Sequence, residues 1–421
     1  MKIQSSKLQG SLTIPPSKSH TLRALIFGSM ASGTSSIENL LLSKDTNTMI
    51  DSLQSLGAKI SLKNNKAEIL GIQGKIDRAE DVLNVGNSGI GLRFLTALAT
   101  LSEKPILITG DHSIRHLRPM KETIDALTQL GAKVISTKGD SFAPLIIQGP
   151  ITKKETWVYG QDSQHVSNLL ILAMFLNQTT RIHVKEPGEL PWIDLTLSWL
   201  DRMGVSYLRE GYHFFEVQGK TKYPGITYTV PGDFSTAAFP FAAALVTRSK
   251  LTLKGLDFKD SQGDKKLFSI FQQMGAKFEV FDNEIQIDGN VNLHGMHIDI
   301  QDCIDALPIL ATVACFAKGK TRIVNGKIAR TKECDRISCI AKELSKMGAK
   351  VVTFPDGLEM EPSNLQGTMV DTHHDHRIAM SLAIAGFGAK GITTIANSDC
   401  IQKTYPQFAQ DFMTLGANFD F

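Results

Sequence analysis

A short sequence word recurs six times along this chain, and its regular spacing limits the possible folds more than any other feature. In each copy a glycine follows Leu or Met and precedes a small residue, at Gly57, Gly131, Gly204, Gly275, Gly348 and Gly416. These glycines lie 74, 73, 71, 73 and 68 residues apart. Repetition at a nearly fixed period indicates one structural unit used several times. A single copy would be only a common helix ending, but six regularly spaced copies argue against chance.

Each copy of the word separates a helical pattern from a β pattern. Before the first glycine, Met49, Leu53 and Leu56 recur at three- and four-residue spacing, which is typical of one helix face. Glycine supplies the left-handed residue that ends a helix. Short alternating segments follow at 59–62 and 67–70. We therefore predict a mixed α/β unit for each period.

The length of the chain predicts two domains. Its 421 residues exceed what a single hydrophobic core usually supports. Three units per domain is the simplest division of six, and Pro231-Gly232-Asp233 marks the expected boundary in the middle of the chain.

Composition favours a cytoplasmic protein and argues against several classes of partner. The net charge is only +3 and no basic tail is present, so nucleic acid is not an expected partner. The apolar runs at 239–246 and 307–317 are too short to span a membrane, and the first residues lack the apolar core of a signal peptide. Five cysteines form no CxxC pair, which indicates reduced thiols and no zinc motif.

Five segments place basic and small polar residues together where the amphipathic pattern breaks. They are PPSKSHTLRA at 15–24, GNSGIGLRF at 86–94, DHSIRHLRP at 111–119, RTKECDR at 330–336 and HHDHRIAM at 373–380. In the first, Ser17 or Ser19 could cap a helix whose N-terminus attracts an anion near Lys18 and Arg23. The second could bring backbone close to a ligand, and the third would be a cationic loop. An ordinary capped helix, a glycine turn and a solvated loop remain the alternatives.

The last two segments add titratable groups. Lys332, Glu333 and Arg336 have helical spacing, so they form either an oriented carboxylate or a surface ion-pair ladder. In the fifth segment we favour anion binding through His376 and Arg377 at a helix N-terminus over a metal site, because the histidines share no helix face well. Together with Lys403 these segments predict binding of small, multiply anionic substrates between two lobes.

The same segments resemble the 5-enolpyruvylshikimate-3-phosphate synthase family, in the family's order and over essentially the whole chain. The matching residues are PSKSHTLRA, GNSGIGLR, Arg115, Arg118-Pro119, Lys332 to Arg336, Asp375 to Met380, and Lys403-Thr404. The resemblance implies a two-lobed inside-out barrel with three βαβαββ units per lobe. The N-terminal lobe would span 15–230, and the C-terminal lobe would combine 1–14 with 231–421.

The resemblance also implies the reaction. The family transfers the enolpyruvyl group of phosphoenolpyruvate to the 5-hydroxyl of shikimate 3-phosphate, and phosphate leaves. The reaction serves the shikimate pathway to chorismate and the aromatic amino acids, and it needs no metal or organic cofactor. The two substrates would be the small-molecule partners of the chain, which we expect to be a monomer.

Site residues follow from the resemblance position by position. Lys18, Asp305 and Glu333 would be catalytic, with Asp305 accepting the hydroxyl proton and Glu333 protonating the vinyl carbon. Shikimate 3-phosphate would contact Lys18, Ser19, Arg23, Ser163, Gln164 and Lys332. Phosphoenolpyruvate would contact Asn87, Gly89, Arg115, Arg336, His376, Arg377 and Lys403. An Asp before Ala-Leu-Pro could also simply cap a helix, which is the structural alternative for Asp305.

The chain departs from the family pattern around the phosphate of shikimate 3-phosphate. Asp162 and Glu189 replace two serines, Ile328 replaces an asparagine, and Trp192 replaces a tyrosine. Two other functions therefore stay open. One is the sister enolpyruvyl transferase that acts on UDP-N-acetylglucosamine, although Lys18-Ser19 and a cysteine-free 111–119 segment do not match it. The other is a catalytically idle binding protein, which would have no need for a paired acid and base.

Overall fold

The computed structural model describes residues 1–420, which form two compact units. One unit is continuous and spans Lys18–Val230. The other is discontinuous, because it combines Met1–Ser17 with the residues from Pro231 onward. Each unit contains three four-stranded sheets. Among the described residues, no helix is both long enough and apolar enough to cross a membrane.

All six sheets share one pairing scheme. An edge strand runs parallel to the second strand, the second is antiparallel to the third, and the third is antiparallel to the fourth. The predicted repeat is therefore confirmed at the level of strand order and direction.

Each sheet of the continuous unit begins at its parallel edge strand. They are Thr227–Thr229, Thr34–Glu38, Lys66–Leu70 and Lys59–Lys63; Leu83–Asn84, Ile106–Thr109, Leu145–Gln148 and Lys133–Ser136; and Glu155–Tyr159, Thr180–Lys185, Phe214–Val217 and Tyr207–Glu210. The helices are Lys18–Met30, Lys44–Ser55, Gly89–Ala99, His112–His116, Lys121–Gln129, Ser163–Ala173 and Leu190–Arg202.

The discontinuous unit repeats the arrangement with strands from both chain segments. Its sheets are Gln9–Thr13, Lys250–Lys254, Glu284–Asp288 and Lys277–Phe281; His297–Asp299, Thr321–Val324, Gly357–Glu361 and Lys350–Phe354; and Met369–Asp371, Ile392–Ala396, Lys2–Gln4 and Phe419–Asp420. The α-helices are Phe234–Val246, Lys266–Gln273, Leu307–Ala314, Arg336–Lys346, His376–Gly388 and Phe408–Thr414. Short 3₁₀ helices lie at Gly263–Lys265, Ile304–Ala306, Lys327–Thr331 and Ser398–Lys403.

The recurring sequence word ends a helix in each of the six repeats. In the first unit the helix Lys44–Ser55 is followed by Leu56 and then by Gly57, whose φ is 105°. The five other glycines of the word also have positive φ, between 69° and 102°. An L side chain rarely adopts this conformation, so the word keeps a glycine at the same turn.

Each of the six repeats pairs an almost fully buried helix with an amphipathic helix. Phe234–Val246, for example, is buried at every position, whereas Lys266–Gln273 buries only one face. The buried helices begin at Lys18, Gly89, Ser163, Phe234, Leu307 and His376. Their N-terminal ends carry most of the residues that the sequence analysis singled out, so the first backbone N–H groups of these helices lie near basic side chains.

Candidate active site

A buried arginine organises the polar cluster of the discontinuous unit. Arg336 is 1% exposed and begins the helix Arg336–Lys346. Its Nε donates to Asp375 Oδ2 at 2.7 Å, its Nη1 to Asp305 Oδ1 at 2.6 Å, and its Nη2 to Glu333 Oε2 at 2.7 Å. One guanidinium therefore fixes three carboxylates that come from three separate chain segments.

Two further cations complete this cluster. Arg377 Nη2 lies 2.9 Å from Asp305 Oδ2, and Arg377 Nη1 donates to the hydroxyl of Ser235 at 2.5 Å. Lys403 Nζ donates to Glu333 Oε1 at 2.7 Å, and His376 Nδ1 lies 4.0 Å from the same oxygen. Both candidate catalytic carboxylates are thus held between two cationic side chains each.

The cations strongly bias ionisation within the cluster. Burial opposes the charge on Asp305, but Arg377, Arg336 and Lys332 outweigh it and hold the pKa of this carboxyl well below its usual range. Burial likewise disfavours a charged Arg336, but Asp375, Glu333 and Asp305 raise its pKa well above the ordinary value. Asp305 is therefore ionised at neutral pH, as a proton acceptor must be.

The structure decides between the alternative interpretations of these residues. Asp305 lies in the turn Ile304–Ala306, and the following helix has Ala306 at its N-cap, without a side-chain cap. Its carboxylate contacts two arginines, so capping does not explain it. The prediction that Lys332 and Glu333 lie on one helix with Arg336 was wrong, because the helix begins only at Arg336. Both residues are nevertheless buried, at 6% and 9% exposure, which excludes a surface ion-pair ladder.

The fifth basic segment begins a helix at His376, where Asp375 is the N-cap and accepts from the Arg377 backbone N–H at 2.8 Å. His373 lies outside the helix, and its Nε2 pairs with Glu343 Oε1 at 2.9 Å. In the part of the chain that the structure describes, no three His, Cys, Asp or Glu side chains are arranged to hold a metal ion.

The first basic segment forms the start of the helix Lys18–Met30 in the continuous unit. Lys18 Nζ lies 3.2 Å from Asp45 Oδ2, and Ser19 is 8% exposed. Arg23 is 3% exposed; its Nη2 donates to Thr196 Oγ1 at 2.8 Å and its Nη1 to the Ser19 carbonyl at 3.2 Å. Burial lowers the pKa of Arg23 to about 9, since neutral oxygens offset the desolvation of a cation only in part.

The second and third segments lie at a neighbouring helix start. Ser88 caps the helix Gly89–Ala99 by accepting from the Gly91 N–H at 3.1 Å. Asn87 Nδ2 donates to Asp111 Oδ2 at 2.6 Å. The segment 111–119 was expected to be a loop, but Asp111 caps the short helix His112–His116. Arg115 is exposed on this helix, and its Nε contacts the Asp111 carbonyl at 3.3 Å.

The third buried helix of the continuous unit begins at Ser163. Its backbone N–H donates to Glu189 Oε2 at 3.1 Å, and its hydroxyl lies 3.4 Å from the same oxygen. Gln164 Oε1 accepts from Arg93 Nη1 at 3.0 Å, and Arg93 Nη2 lies 3.3 Å from Asp162 Oδ2. The two carboxylates that depart from the family pattern are therefore both at this helix N-terminus.

Comparisons with known proteins agree with the pattern of these residues. The family model described as EPSP synthase (3-phosphoshikimate 1-carboxyvinyltransferase) matches residues 3–412. The chain belongs to the EPSP synthase family. The 3-phosphoshikimate 1-carboxyvinyltransferase of Chlamydia muridarum is 43% identical over 99% of this chain and 94% of that protein. The enzyme of the same name from Acetivibrio thermocellus is 39% identical, over 99% and 98%.

Solved structures of the EPSP synthase family share the fold. EPSP synthase from Acinetobacter baumannii superposes with a TM-score of 0.82 at 26% identity, covering 99% of this chain and 98% of the other. The enolpyruvyl transferase NikO from Streptomyces tendae has a TM-score of 0.79 at 17% identity, covering 99% and 97%, and this likeness concerns the fold alone. The predicted fold class and family are confirmed.

Several site neighbours were not predicted from sequence. Asp375 stands in a quoted motif, yet nothing there indicated that it binds Arg336. Ser235 contacts Arg377 across 142 positions of the chain. Asp264 is 2% exposed beside this pair; burial raises its pKa to about 7, against the lowering effects of Arg377 and the Ser235 hydroxyl. Only tertiary contacts bring these residues to the cluster, so no sequence motif announces them.

Proposed function

We propose that this member of the EPSP synthase family transfers the enolpyruvyl group of phosphoenolpyruvate to the 5-hydroxyl of shikimate 3-phosphate and releases phosphate. The single observation that carries the proposal is the pair of carboxylates, Asp305 and Glu333, that one buried arginine holds at 2.6 and 2.7 Å. An acid and a base held beside several cations suit an addition to an anionic enol ester.

Substrate binding would prepare the two carboxylates for proton transfer. The carboxylate and phosphate of phosphoenolpyruvate would share Arg336, Arg377, His376 and Lys403 with the protein acids. A second anion raises the pKa of a carboxyl beside it and competes for its cations. Glu333 would thereby gain a proton, whereas Asp305, whose pKa starts well below its usual range, would stay ionised.

The reaction then balances with these two groups. The 5-hydroxyl oxygen forms a bond to C2 of phosphoenolpyruvate, its proton passes to Asp305, and Glu333 delivers a proton to C3. In the second half, the Glu333 carboxylate removes a proton from C3, the C2–O bond to phosphate breaks, and a carbon–carbon double bond forms again. Asp305 would return the hydroxyl proton to the departing phosphate, so that hydrogen phosphate leaves and both side chains regain their starting protonation states. Lys18 would stabilise the negative charge of the departing phosphate.

The continuous unit would supply the remaining contacts. Lys18, Ser19, Arg23, Ser163 and Gln164 would bind shikimate 3-phosphate, together with Lys332 of the other unit. Asn87, Gly89 and Arg115 would contact phosphoenolpyruvate. Arg23 supports this assignment, because it is a buried cation whose hydrogen-bond acceptors among residues 1–420 are neutral oxygens, and an incoming anion would supply the missing charge.

The proposal includes three further expectations, which concern oligomeric state, location and cofactor requirement. The chain would act as a monomer, it would work in the cytoplasm on the shikimate pathway, and it would require no cofactor. Size-exclusion chromatography with light scattering tests the first, and turnover after dialysis against a chelator tests the last.

The decisive experiment measures phosphate release from phosphoenolpyruvate with shikimate 3-phosphate as acceptor, beside UDP-N-acetylglucosamine as a second acceptor. We expect release only with shikimate 3-phosphate. Glu333→Gln should lower kcat by about 10²–10⁴-fold, the usual contribution of a positioned general acid. Glu361→Gln is the matched control, because that carboxylate is a partly exposed strand residue outside the cluster. Release with UDP-N-acetylglucosamine alone would contradict the proposal.

A further inference from the structure

A protein carboxylate lies at the helix N-terminus that the proposed function assigns to the acceptor phosphate. Glu189 is 4% exposed, and its Oε2 accepts from the Ser163 N–H at 3.1 Å and approaches the Ser163 hydroxyl at 3.4 Å. A phosphate oxygen bound by Ser163 would require these same donors. The inference below rests on the proposed function, which gives Ser163 that role.

The backbone holds Glu189 firmly in this place. Its φ of 48° is left-handed, and the helix Leu190–Arg202 follows directly. The preceding Gly188 donates to the Gly160 carbonyl at 2.9 Å, and a Cβ at Gly188 would lie only 2.7 Å from the Gln161 carbonyl oxygen. The two loops are therefore in close contact, so the carboxylate can leave Ser163 by side-chain rotation far more easily than by loop movement.

Two protein carboxylates, those of Asp162 and Glu189, lie at this helix end. Asp162 caps the helix by accepting from the Gln164 N–H at 3.0 Å, and Arg93 Nη2 lies 3.3 Å from Asp162. Arg93 thus lies next to one of these carboxylates, and the other accepts from the Ser163 N–H. A phosphate dianion would add its charge to both carboxylates, which like-charge repulsion opposes.

The nearby cation Arg23 differs from Arg93, because its hydrogen-bond acceptors include no carboxylate within the described residues. Arg23 donates to Thr196 Oγ1 at 2.8 Å, and Thr196 donates to Ser167 Oγ of the Ser163 helix at 2.9 Å. Within the described residues Arg23 has no carboxylate partner, so the same unit leaves a buried cation for an anion and fills a neighbouring anion position itself.

We infer that Glu189 is an internal competitor of the acceptor phosphate, occupying the Ser163 donors until shikimate 3-phosphate displaces it. Glu189 therefore limits the affinity for the phosphorylated acceptor. Its carboxylate lowers that affinity, and it discriminates against a phosphate much more than against a neutral hydroxyl at the same position of the ring.

Calorimetric titration of the full chain with shikimate 3-phosphate tests this inference independently of turnover. The variants are Glu189→Gln, which removes the charge at constant size, and Glu189→Ser, a second variant with a short neutral side chain. Both should bind shikimate 3-phosphate at least about tenfold more tightly than wild type, because one close like charge is gone. Binding of unphosphorylated shikimate should change less than about twofold in the same variants.

Glu186→Gln is the matched control, since Glu186 lies in the same loop with a φ of 49° but is exposed and bonds Gln161 Nε2 at 2.5 Å. This variant should bind like wild type. Unchanged or weaker binding of shikimate 3-phosphate by both Glu189 variants would overturn the inference, as would an equal gain for shikimate.

Turnover of the same samples separates this inference from the proposed function. If phosphate release fails in every variant while Glu189→Gln still binds shikimate 3-phosphate more tightly, the proposed reaction is wrong and the competitor role stands. If turnover is normal and affinity is insensitive to Glu189, only the competitor role is wrong.

Discussion

The two units bury their cationic side chains in opposite ways. In the discontinuous unit Arg336 contacts three carboxylates within 2.7 Å, and its pKa rises. In the continuous unit the hydrogen-bond acceptors of Arg23 within residues 1–420 are neutral oxygens, and its pKa falls to about 9. A paired cluster is stable before substrate arrives, whereas an unpaired buried cation is stabilised by the anion that it binds. We therefore expect the discontinuous unit to supply preorganisation and the continuous unit to supply binding strength.

The largest effect is expected for Arg336→Met, which tests whether the paired cluster stabilises the discontinuous unit. Three carboxylates would lose their shared cation in a buried cluster, so the free energy of unfolding should fall by about 3–5 kcal/mol. Chemical denaturation monitored by circular dichroism measures the change. The control is Arg181→Met, which removes an exposed pair with Glu216 and should change the stability far less, because water already screens that pair. Equal losses in the two variants would show that the cluster does not act as described.

The carboxyl of Asp264 tests whether Arg336 and Arg377 stabilise the ionised form of every acid near them. Its folded pKa of about 7 lies above the ordinary 3.8, so its stabilising contribution is complete below about pH 4 and is lost as pH rises through 7. Between these limits the wild type should lose about 2–4 kcal/mol relative to Asp264→Asn. Denaturation midpoints from pH 4 to 8 measure this, with the exposed Asp282→Asn as control. Parallel pH curves for wild type and Asp264→Asn would contradict the assignment.

Arg23→Met tests whether the buried cation of the continuous unit contributes to ligand affinity and not to stability. Removing a buried cation that lacks a carboxylate should change the free energy of unfolding by less than about 1 kcal/mol, or increase it. The same variant should bind shikimate 3-phosphate about 100-fold less tightly, because a buried charge pair with the ligand is lost. Denaturation and calorimetry on one preparation measure both quantities. A large loss of stability would mean that Arg23 is structural.

The smallest effect is expected at Gly89. A Cβ there would lie 3.2 Å from Arg93 Nη1 and 3.7 Å from Arg118 Cζ, so Gly89→Ala should displace these side chains slightly. We expect kcat/KM for phosphoenolpyruvate to fall about two- to fivefold, or about 0.4–1 kcal/mol. Gly91→Ala is the control in the same helix, because its Cβ would contact Ser88 and not the arginines. An equal effect of both substitutions would indicate general disturbance of the helix start.

Periodicity predicted more of the fold than of the site. The six glycines fixed the helix endings because a left-handed turn has a strong local requirement. The parallel edge strands were harder, since Leu83–Asn84 is two residues long and has no pattern of its own. The residue types of the site followed from motifs, and their assigned roles stay predictions. The contacts of Asp375, Ser235 and Glu189 could not be predicted, because they join segments far apart in sequence.

The discontinuous unit has a consequence for biosynthesis. Strand Lys2–Gln4 pairs with Ile392–Ala396, and Gln9–Thr13 pairs with Lys250–Lys254, so the first strands leave the ribosome long before their partners exist. The continuous unit is complete once Val230 has emerged and can fold while synthesis continues. The nascent N-terminal strands meanwhile expose unpaired edges. A chaperone that holds the first 17 residues should therefore raise the yield of folded protein, whereas slow translation, which prolongs the exposure of these strands, should lower it.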